Sequence, residues 1–485
     1  MDKKKSIVKP DFRDKDLFVR LFGKDVYAVG GYVRDLYRDI HDSEVDLLIT
    51  NHPVEDIVKK LQDKGKVDLV GKSFGVIKFT VNKKTYDIAL PRKDIAQEKE
   101  TRGHKDFIIE ADPFLPVEKD LERRDFRCNS VAIRLEPHAI IDPLDGQTDI
   151  QEKILRLTNP NAFPDDPLRV LRAARFASNL EYQIGKEIYS LSKNIDLSGL
   201  SMERINEEIF KILLDSPVPS LGLEELFQLG ALRQIIPELY RLTLSIQDSV
   251  FHPEKDDYGH HTVWKHTKIT VDQAKRIGES HLQNRQENLA LLLAALYHDI
   301  GKPNTAHWEF KKGRMVITNN KHDITSEKIT ENIFIRLKIH SWNGYDLRKT
   351  VLDLIRCHHR ASELWQNRSV ITKKAFNRLA ADVEGEIELL IYLDAADRAG
   401  RDETPAKQLD EQSTWLLNKF KEMNVTKESI KPLIMGRDLI KLGIEPGPDM
   451  GKILKKLYEM QLDNQFEDRE SGFKAAGAVV KGEKS

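Results

Sequence analysis

The sequence has few cysteines, no excess of either charge and no long apolar run. Its 485 residues include two cysteines, Cys128 and Cys357, whose wide separation fits neither a disulfide framework nor a metal-binding motif. Such usage suits a reducing compartment such as the cytoplasm. Lys and Arg number 77 and Asp and Glu 78, which leaves a net charge of −1. Any nucleic-acid binding must therefore come from local basic patches.

The sequence pattern also lacks membrane spans and export signals. The longest apolar run, Leu289 to Tyr297, is too short to cross a bilayer. The charged residues Met1 to Lys5 precede no apolar run, so we expect no secretory signal. The sequence contains neither repeats nor low-complexity tracts. Its length instead predicts roughly two to four domains with sizeable cores.

A glycine pair and two acids near the start of the chain form the most informative pattern. The apolar segment Val26 to Val29 predicts a strand that ends at Gly30 and Gly31. Glycine lets the backbone approach a ligand, and the helix start that follows presents free N–H groups to an anion such as a triphosphate. A second strand is predicted to begin at Glu44. Side chains alternate along a strand, so Glu44 and Asp46 would share a face and hold Mg²⁺.

The sequence that follows predicts more of the same sheet. We expect an amphipathic helix over 53–61 and strands over 67–70, 75–81 and 85–90, the last two joined as a hairpin. Asp87 lies in the last of these strands, where it could complete a metal site or cap the sheet edge. From Arg92 to Glu122 the pattern becomes irregular, which indicates a functional or a disordered loop.

Two arginine-rich motifs follow. Arg123, Arg124, Asp125 and Asn129 are residue types that hold phosphates and a ribose hydroxyl, although such a cluster is also common on protein surfaces. The second motif, Asp-Asp-Pro-Leu-Arg at 165–169, predicts a helix start with an Asp cap.

The cap does not account for the arginines of that helix. Arg169, Arg172 and Arg175 recur every three residues and drift slowly around one face. A guanidinium and a carboxylate together can hydrogen-bond the edge of a nucleobase. A further helix is predicted to begin near residues 201–205.

Histidines and aspartates become frequent after Pro253. They occur in the order His, His-Asp, His, His, Asp, and each follows an apolar, helix-like stretch. Imidazole and carboxylate together suit a transition metal such as Mn, Fe, Co or Ni. The predicted metal ligands are His266, His298, Asp299, His322, His358 and Asp397. Further on, Met450 to Leu462 predicts a helix whose lysine-rich side could face RNA phosphates or solvent, and residues 467–485 are expected to fray.

Together these motifs resemble those of class II CCA-adding enzymes and bacterial poly(A) polymerases that carry a C-terminal HD domain. The matching stretches are Gly-Gly-Tyr-Val-Arg-Asp at 30–35, Glu-Val-Asp at 44–46, Arg-Arg-Asp-Phe at 123–126 and the motif at 165–169. The family has Asp where this chain has Glu44. The glutamate side chain is longer by one carbon–carbon bond, about 1.5 Å.

The resemblance implies an α+β multidomain fold. It consists of a mixed α/β nucleotidyltransferase head of the DNA polymerase β type, a helical neck and an all-α HD domain. The corresponding boundaries are 1–150 for the head, 151–245 for the neck, 246–410 for the HD domain and 411–485 for a C-terminal helical tRNA-binding segment and tail.

The resemblance also implies a function and its residues. The chain would add C, C and A to the 3′ end of tRNA from CTP and ATP without a template, and release pyrophosphate. Glu44, Asp46 and Asp87 would be catalytic, the first two as Mg²⁺ ligands. Arg127 is a further candidate for the triphosphate. The implied nucleotide-binding residues are Gly30, Gly31, Arg34, Arg123, Arg124, Asp125, Asn129, Asp166, Arg169, Arg172 and Arg175, with Asp166 and Arg169 as the base-reading pair.

Two alternatives stay open at this point. The head could be a poly(A), CC-adding or A-adding polymerase, because these motifs do not separate the activities. In the other alternative the chain is an HD-type metal phosphohydrolase whose head only binds RNA. In each case we expect a cytoplasmic protein with no membrane partner.

Overall fold

The computed structural model describes residues 8–70, 76–96, 107–311, 313–404, 408–425 and 430–483. The chain divides into two compact units. One holds Met1–Ile209 with Leu221–Ile235, and the other holds Phe210–Ser220 with Ile236–Ser485.

The strands in chain order are β1 (Val26–Val29), β2 (Asp46–Ile49), β3 (Lys66–Val70), β4 (Val76–Val81), β5 (Lys84–Ala89), β6 (Arg92–Ala96), β7 (Phe107–Ala111), β8 (Ala132–Arg134), β9 (Ala139–Ile141), β10 (Ile154–Leu155), β11 (Gln183–Ile184), β12 (His307–Lys311) and β13 (Arg314–Thr318).

The helices are α1 (Lys15–Phe22), α2 (Gly30–Tyr37), α3 (Val54–Leu61), α4 (Val117–Glu122), α5 (Gly146–Glu152), α6 (Leu168–Leu180), α7 (Lys186–Ser192), α8 (Met202–Asp215), α9 (Pro219–Gln228), α10 (Ala231–Ile235), α11 (Pro237–Leu242), α12 (Val263–His281), α13 (Arg285–Tyr297), α14 (Lys302–Thr305), α15 (His322–Arg336), α16 (Leu347–Cys357), α17 (Arg360–Gln366), α18 (Lys373–Asp382), α19 (Ile387–Ala399), α20 (Glu411–Glu422), α21 (Gly436–Lys441), α22 (Pro448–Leu462) and α23 (Arg469–Glu483). Short 3-10 turns cover Gly23–Asp25, Arg127–Asn129 and Pro160–Asp165.

The first unit is built on a mixed sheet with the strand order β3-β4-β5-β2-β1-β8-β9. Strands β2 and β5 are parallel, whereas the other neighbours in this sheet are antiparallel. The central strand β1 is buried along its whole length, as its unbroken apolar sequence predicts. The predicted hairpin is confirmed, with Asn82 and Lys83 at φ values of 50° and 66° in the tight turn between β4 and β5.

The prediction that the second strand begins at Glu44 is wrong. Strand β2 begins at Asp46, which pairs with Asp87 of β5, and the pairing with β1 extends to Leu47 opposite Ala28. Glu44 therefore precedes the hydrogen-bonded ladder and is exposed. The alternation rule holds only inside a strand, so it does not fix the direction of the Glu44 side chain.

The expectation of an irregular segment from Arg92 to Glu122 is also wrong for the part that the structure describes. Strands β6 and β7 pair as an antiparallel ribbon, and α4 follows them. Backbone pairing satisfies the main-chain N–H and C=O groups in spite of the charged composition. Residues 97–106 of the predicted loop lie outside the described residues.

The second unit is mainly helical. Helix α13 is buried from Leu289 to Tyr297, which accounts for the longest apolar run in the sequence. Helix α12 begins after Thr262, whose side chain accepts from the Lys265 N–H and caps the helix. This part of the chain is not all-α as expected, because β12 and β13 form a hairpin that turns at Gly313, where φ is +80°. Among the helices of the described residues, none is both long and apolar enough to span a membrane.

The expected frayed tail is a packed helix. Ala476, Val479 and Val480 on α23 are buried in one cluster with Phe466 and Leu457. These apolar residues recur at helical spacing among Gly, Lys and Glu, and the low hydrophobicity of the segment hides that pattern. The architecture as a whole, a mixed α/β head followed by helices, confirms the expected fold class.

A glycine in α5 gives a test of how the head is packed. A Cβ atom at Gly146 would lie 2.2 Å from the carbonyl oxygen of Arg127 and 2.8 Å from Val131 Cγ2. We predict that Gly146→Ala lowers the free energy of unfolding by about 1–3 kcal/mol, as overpacking does, in urea denaturation followed by circular dichroism. Gly451→Ala on α22, where nothing lies within 4 Å, is the control and should be neutral or slightly stabilising. An unchanged midpoint for Gly146→Ala would contradict the close packing of α5.

Candidate functional sites

A cavity of about 1200 Å³ in the first unit gathers most of the predicted nucleotide-binding residues. Two elements, the turn into α2 and the start of α6, supply its opposite ends. The predicted residues that line it are Gly30, Gly31, Arg34, Asp46, Arg123, Arg124, Asp125, Asn129, Asp166, Arg169 and Arg172.

The glycine pair allows Asp46 and Arg124 to approach the backbone. Gly30 has a φ of +64°, and a Cβ atom there would lie 3.1 Å from Arg124 Nη1 and 3.3 Å from Asp46 Oδ2. A Cβ atom at Gly31 would lie 3.7 Å from the same Asp46 oxygen. Asp46 also accepts a hydrogen bond from the Gly31 N–H. The turn therefore needs glycine both for its conformation and for this contact.

Asp46 is the most perturbed acid of the cavity. Burial raises its pKa; Arg124 lowers it, and the nearby carboxylates Asp87 and Glu44 raise it again, to about 6. Glu44 and Asp87 therefore lie within electrostatic reach of Asp46, although neither lines the cavity. Lys78 Nζ lies 2.9 Å from Asp87 Oδ1. Three carboxylates that repel one another are a donor set that fits a hard divalent cation such as Mg²⁺.

Buried acids fix the arginines of the cavity. Asp120 on α4 lies 2.9 Å from Arg123 Nη2 and 3.1 Å from Arg124 Nη2. Burial raises the Asp120 pKa, but the two guanidinium groups outweigh it and hold the pKa below its usual value. Arg34 Nη1 donates to Asn129 Oδ1 at 2.8 Å. Each guanidinium is thus anchored on one side by the protein.

A second anchored pair links the two arginine motifs. Arg172 Nε on α6 donates to Asp125 Oδ2 at 2.8 Å, so Asp125 holds an arginine and is not itself free for a ribose. Asp120 and the Arg172–Asp125 pairing were not predicted. Sequence offered a signal for Asp120 only, which precedes Arg123 and Arg124 by helical spacing.

The predicted base-reading pair lies at the start of α6. Asp166 Oδ1 accepts from the Leu168 N–H at 3.2 Å and so caps the helix as expected. Its other contact is Arg204 Nη2 on α8, 3.2 Å from Asp166 Oδ2. Arg169 Nη1 donates to the carbonyl of Ala162 at 2.6 Å. Arg204 also lines the cavity, and sequence analysis predicted its helix without giving it a role.

Two predicted arginines do not line the cavity. Arg175 Nε donates to Glu208 at 2.6 Å, and Arg127 Nε donates to the carbonyl of Leu157 at 3.0 Å. Arg175 stacks on Phe176, with 4.2 Å from Cζ to the ring centroid. Phe176 does line the cavity and was not predicted, because an aromatic residue in a helix is usually part of a core. A three-residue period on an α-helix rotates around the axis, so Arg175 turns towards α8.

The second unit brings the six predicted metal ligands together. His266 lies on α12, His322 begins α15 and Asp397 lies on α19, whereas His298 and Asp299 follow α13. His266 Nε2 is 2.9 Å from Asp397 Oδ1. Asp299 lies between two imidazoles, with Oδ2 3.2 Å from His298 Nε2 and Oδ1 3.1 Å from His322 Nε2.

The imidazoles all present the same nitrogen to this centre. The Nδ1 atoms of His298, His322 and His358 lie 2.9, 2.8 and 2.6 Å from main-chain carbonyl oxygens. A carbonyl only accepts, so each Nδ1 carries the hydrogen and Nε2 faces inward. His358 Nε2 is buried and has no hydrogen-bond partner in the part of the chain that the structure describes. Inward, unpartnered imidazole nitrogens beside carboxylates fit a divalent transition metal.

His359 joins the centre although it was not among the predicted ligands. Its Nε2 is 3.0 Å from His322 Nε2, and His322, His358 and His359 offer ligand atoms within 4.8 Å of one another. His266, His298 and Asp397 form another such group. The position of His359 directly after His358 was the available signal.

The charges of the centre are strongly coupled. Burial lowers the pKa of His298, but Asp299 outweighs it and raises the pKa to about 10. Burial lowers the pKa of His358 well below its usual value, and the neighbouring imidazoles lower it further. Although burial raises the pKa values of Asp299 and Asp397, the facing histidines hold both well below the usual range.

These two sites define a class: a nucleotidyltransferase head joined to a helical histidine–aspartate metal centre of the HD type. The sequence matches the poly A polymerase head domain over residues 26–156. It also matches the probable RNA and SrmB-binding site of polymerase A over 182–242 and the HD domain over 263–402.

Related proteins give the family. The multifunctional CCA protein of Vibrio vulnificus (strain YJ016) is 31% identical over 397 residues, which cover 80% of this chain and 88% of that protein. That of Methylobacillus flagellatus is 32% identical over 320 residues, which cover 65% and 70%. The chain belongs to the multifunctional CCA protein family, which confirms the resemblance seen in its motifs.

Solved structures agree in fold. The Bacillus stearothermophilus CCA-adding enzyme in complex with CTP matches with a TM-score of 0.62 at 19% identity, over 97% of each chain. A CCA-adding enzyme in complex with ATP matches with a TM-score of 0.58 at 19% identity, over 98% of this chain and 95% of that one.

The protonation of His298 leads to a prediction about metal uptake. At pH 7 a group with a pKa of about 10 carries a proton, which a metal ion must displace. We predict that the metal-free chain releases at least about one proton per ion bound, and that affinity rises about tenfold per pH unit between pH 6 and 8. Calorimetry with Co²⁺ in buffers of different ionisation enthalpy measures the proton count. Affinity independent of pH would contradict this charge state of His298.

Proposed function

We propose that the chain adds C, C and A to the 3′ end of tRNA from CTP and ATP without a template, releasing pyrophosphate. The observation that carries the proposal is the content of one cavity. Asp46 and the glycine turn lie at one end, as a triphosphate and its metal require, and Asp166 with Arg169 lies at the other. The cavity of about 1200 Å³ has room for a whole nucleotide together with an RNA end.

The residues would divide the work as follows. Arg34, Arg123 and Arg124 bind the triphosphate, held by acids that leave part of each guanidinium free. Glu44 and Asp46 would hold Mg²⁺, with Asp87 as the third carboxylate. When bound, Mg²⁺ supplies positive charge at the reacting phosphate and favours the in-line attack of the RNA 3′-hydroxyl on the α-phosphate.

Base selection would fall to Asp166 and Arg169. Their carboxylate and guanidinium offer acceptors and donors to the Watson–Crick edge of cytosine or adenine. Arg204 occupies Asp166 through an ion pair at the exposed cavity wall, and such a pair contributes little and exchanges readily. A nucleobase can therefore replace Arg204 on Asp166 at small cost.

For the second unit we propose a metal-dependent phosphohydrolase. The inward Nε2 atoms and the bridging position of Asp299 favour it over a purely structural role, because a structural core has no need of unpartnered imidazoles. Mn, Fe, Co or Ni fits the mixed imidazole and carboxylate donors. When bound, such a metal lowers the pKa of a coordinated water, which can then attack a phosphoester.

The organisation of the chain follows from these roles. The proposed boundaries are 1–150 for the head, 151–245 for the neck, 246–410 for the HD domain and 411–485 for the tRNA-binding segment. A tRNA substrate also places the protein in the cytoplasm.

The acids of the head give a direct test. We predict that Asp46→Asn and Glu44→Ala each reduce nucleotide incorporation by at least about 10²-fold, because each removes a metal ligand. The assay uses tRNA that ends before CCA, supplied with CTP, ATP or both, and reads the products at nucleotide resolution. Glu55→Ala, an exposed acid on α3, is the matched control and should keep full activity.

The same assay separates the alternatives. Extension by adenosines alone would indicate a poly(A) or A-adding polymerase, and arrest after two cytidines a CC-adding enzyme. If wild type incorporates nothing and Glu44→Ala changes nothing, the head only binds RNA. Increased incorporation by Glu44→Asp would mean that the head is catalytic but limited by the longer side chain.

The phosphohydrolase proposal has its own test. We predict that His298→Ala abolishes metal-dependent cleavage of p-nitrophenyl phosphate or bis-p-nitrophenyl phosphate and leaves CCA addition unchanged, because the residue belongs to the second unit. Exposed His260→Ala is the control variant. Equal cleavage by His298→Ala and wild type would assign the activity to another site or to a contaminant.

A further inference from the structure

A buried glutamate lies directly behind the metal centre of the second unit. Glu254 precedes α12 and is 7% exposed. Its Oε1 atom lies 3.2 Å from His266 Nδ1 and 3.1 Å from His252 Nδ1, and Gln247 Nε2 donates to the same oxygen at 3.0 Å. Neither the predicted ligand set nor the proposed mechanism uses Glu254.

The two faces of His266 have different partners. Nδ1 faces the Glu254 carboxylate and, at 3.2 Å, the carbonyl oxygen of Gly400. Both groups only accept hydrogen bonds, so Nδ1 carries the hydrogen. Nε2 faces Asp397 Oδ1 at 2.9 Å and is therefore the atom available to a metal.

His266 differs in this respect from the other imidazoles of the centre. His298, His322 and His358 are each oriented by a neutral main-chain carbonyl three residues earlier. His266 is oriented by a charged side chain that is itself fixed by two further residues. A carboxylate on the outer nitrogen of a metal-bound imidazole fixes its tautomer and makes it a more basic ligand.

We propose that Glu254 is a positioning residue for the metal of the second unit, and that it holds His266 with Nε2 directed at the ion. This inference rests on the proposed metal centre. It extends the centre to a chain of groups that runs from Gln247 and Glu254 through His266 to the metal.

The same residues do not form a separate cation site. Glu254, His252 and His266 offer ligand atoms within 4.8 Å of one another, but a cation already lies beside them. Lys302 Nζ is 3.3 Å from His252 Nε2 and 2.6 Å from Asp299 Oδ2. A buried ammonium at this position repels a metal ion on His252.

Co²⁺ binding to the full-length chain tests the inference. We expect Glu254→Gln, which keeps the shape and removes the charge, to weaken Co²⁺ binding about 10–100-fold and to shift the visible absorption of bound Co²⁺. The number of ions per chain at saturation stays the same. Asp353→Asn on α16 is the matched control, because Asp353 is equally buried and pairs with Lys349 and Arg356. Its Co²⁺ affinity should stay within about twofold of wild type.

Glu254→Asp covers the case in which the Gln variant does not fold. It keeps the charge but withdraws it by about 1.5 Å, so an intermediate loss of affinity is expected. Wild-type affinity and spectrum in either folded variant would overturn the inference alone. Loss of one ion per chain, with the others bound as before, would also overturn it and make Glu254 a ligand. If wild type takes up no Co²⁺, the metal centre is wrong and the inference with it.

Discussion

Desolvation of a few carboxylates is the constraint on which both sites depend. An acid removed from water must be paired or must give up its charge. Asp46 has one facing arginine and two nearby acids, so its pKa stays raised, at about 6. Asp120 has two arginines and keeps its charge. The difference separates the acid that anchors the cavity wall from the acid that still needs a cation.

The second unit solves the same problem with imidazoles. Asp299 and Asp397 are buried among histidines, and their mutual attraction holds the site together before any metal is present. The donors therefore differ between the sites, with oxygen atoms alone in the head and mixed nitrogen and oxygen atoms here. A hard ion that shares its ligands with phosphates suits the first, and a transition metal suits the second.

Local motifs could be predicted from the sequence, whereas long-range partners could not. The glycine turn and the cap at Asp166 depend on neighbours in the chain, and both lie where the pattern places them. The ordered histidines were recognisable because each ends or begins a helix. Glu254 and Arg204 were missed because their roles come from side chains on other elements. Arg175 shows the converse, since a helical period cannot say which neighbour covers which face.

The start of β2 bears on how the chain accommodates Glu44 in place of aspartate. Asp46 is fixed by strand pairing and by the Gly31 N–H, so a longer side chain there would be displaced from its contact. Glu44 lies before the ladder, where the backbone is not held by strand hydrogen bonds. A loop can retract by the length of one bond at lower cost than a paired strand. The substitution therefore falls at the acid whose backbone is free to compensate for it.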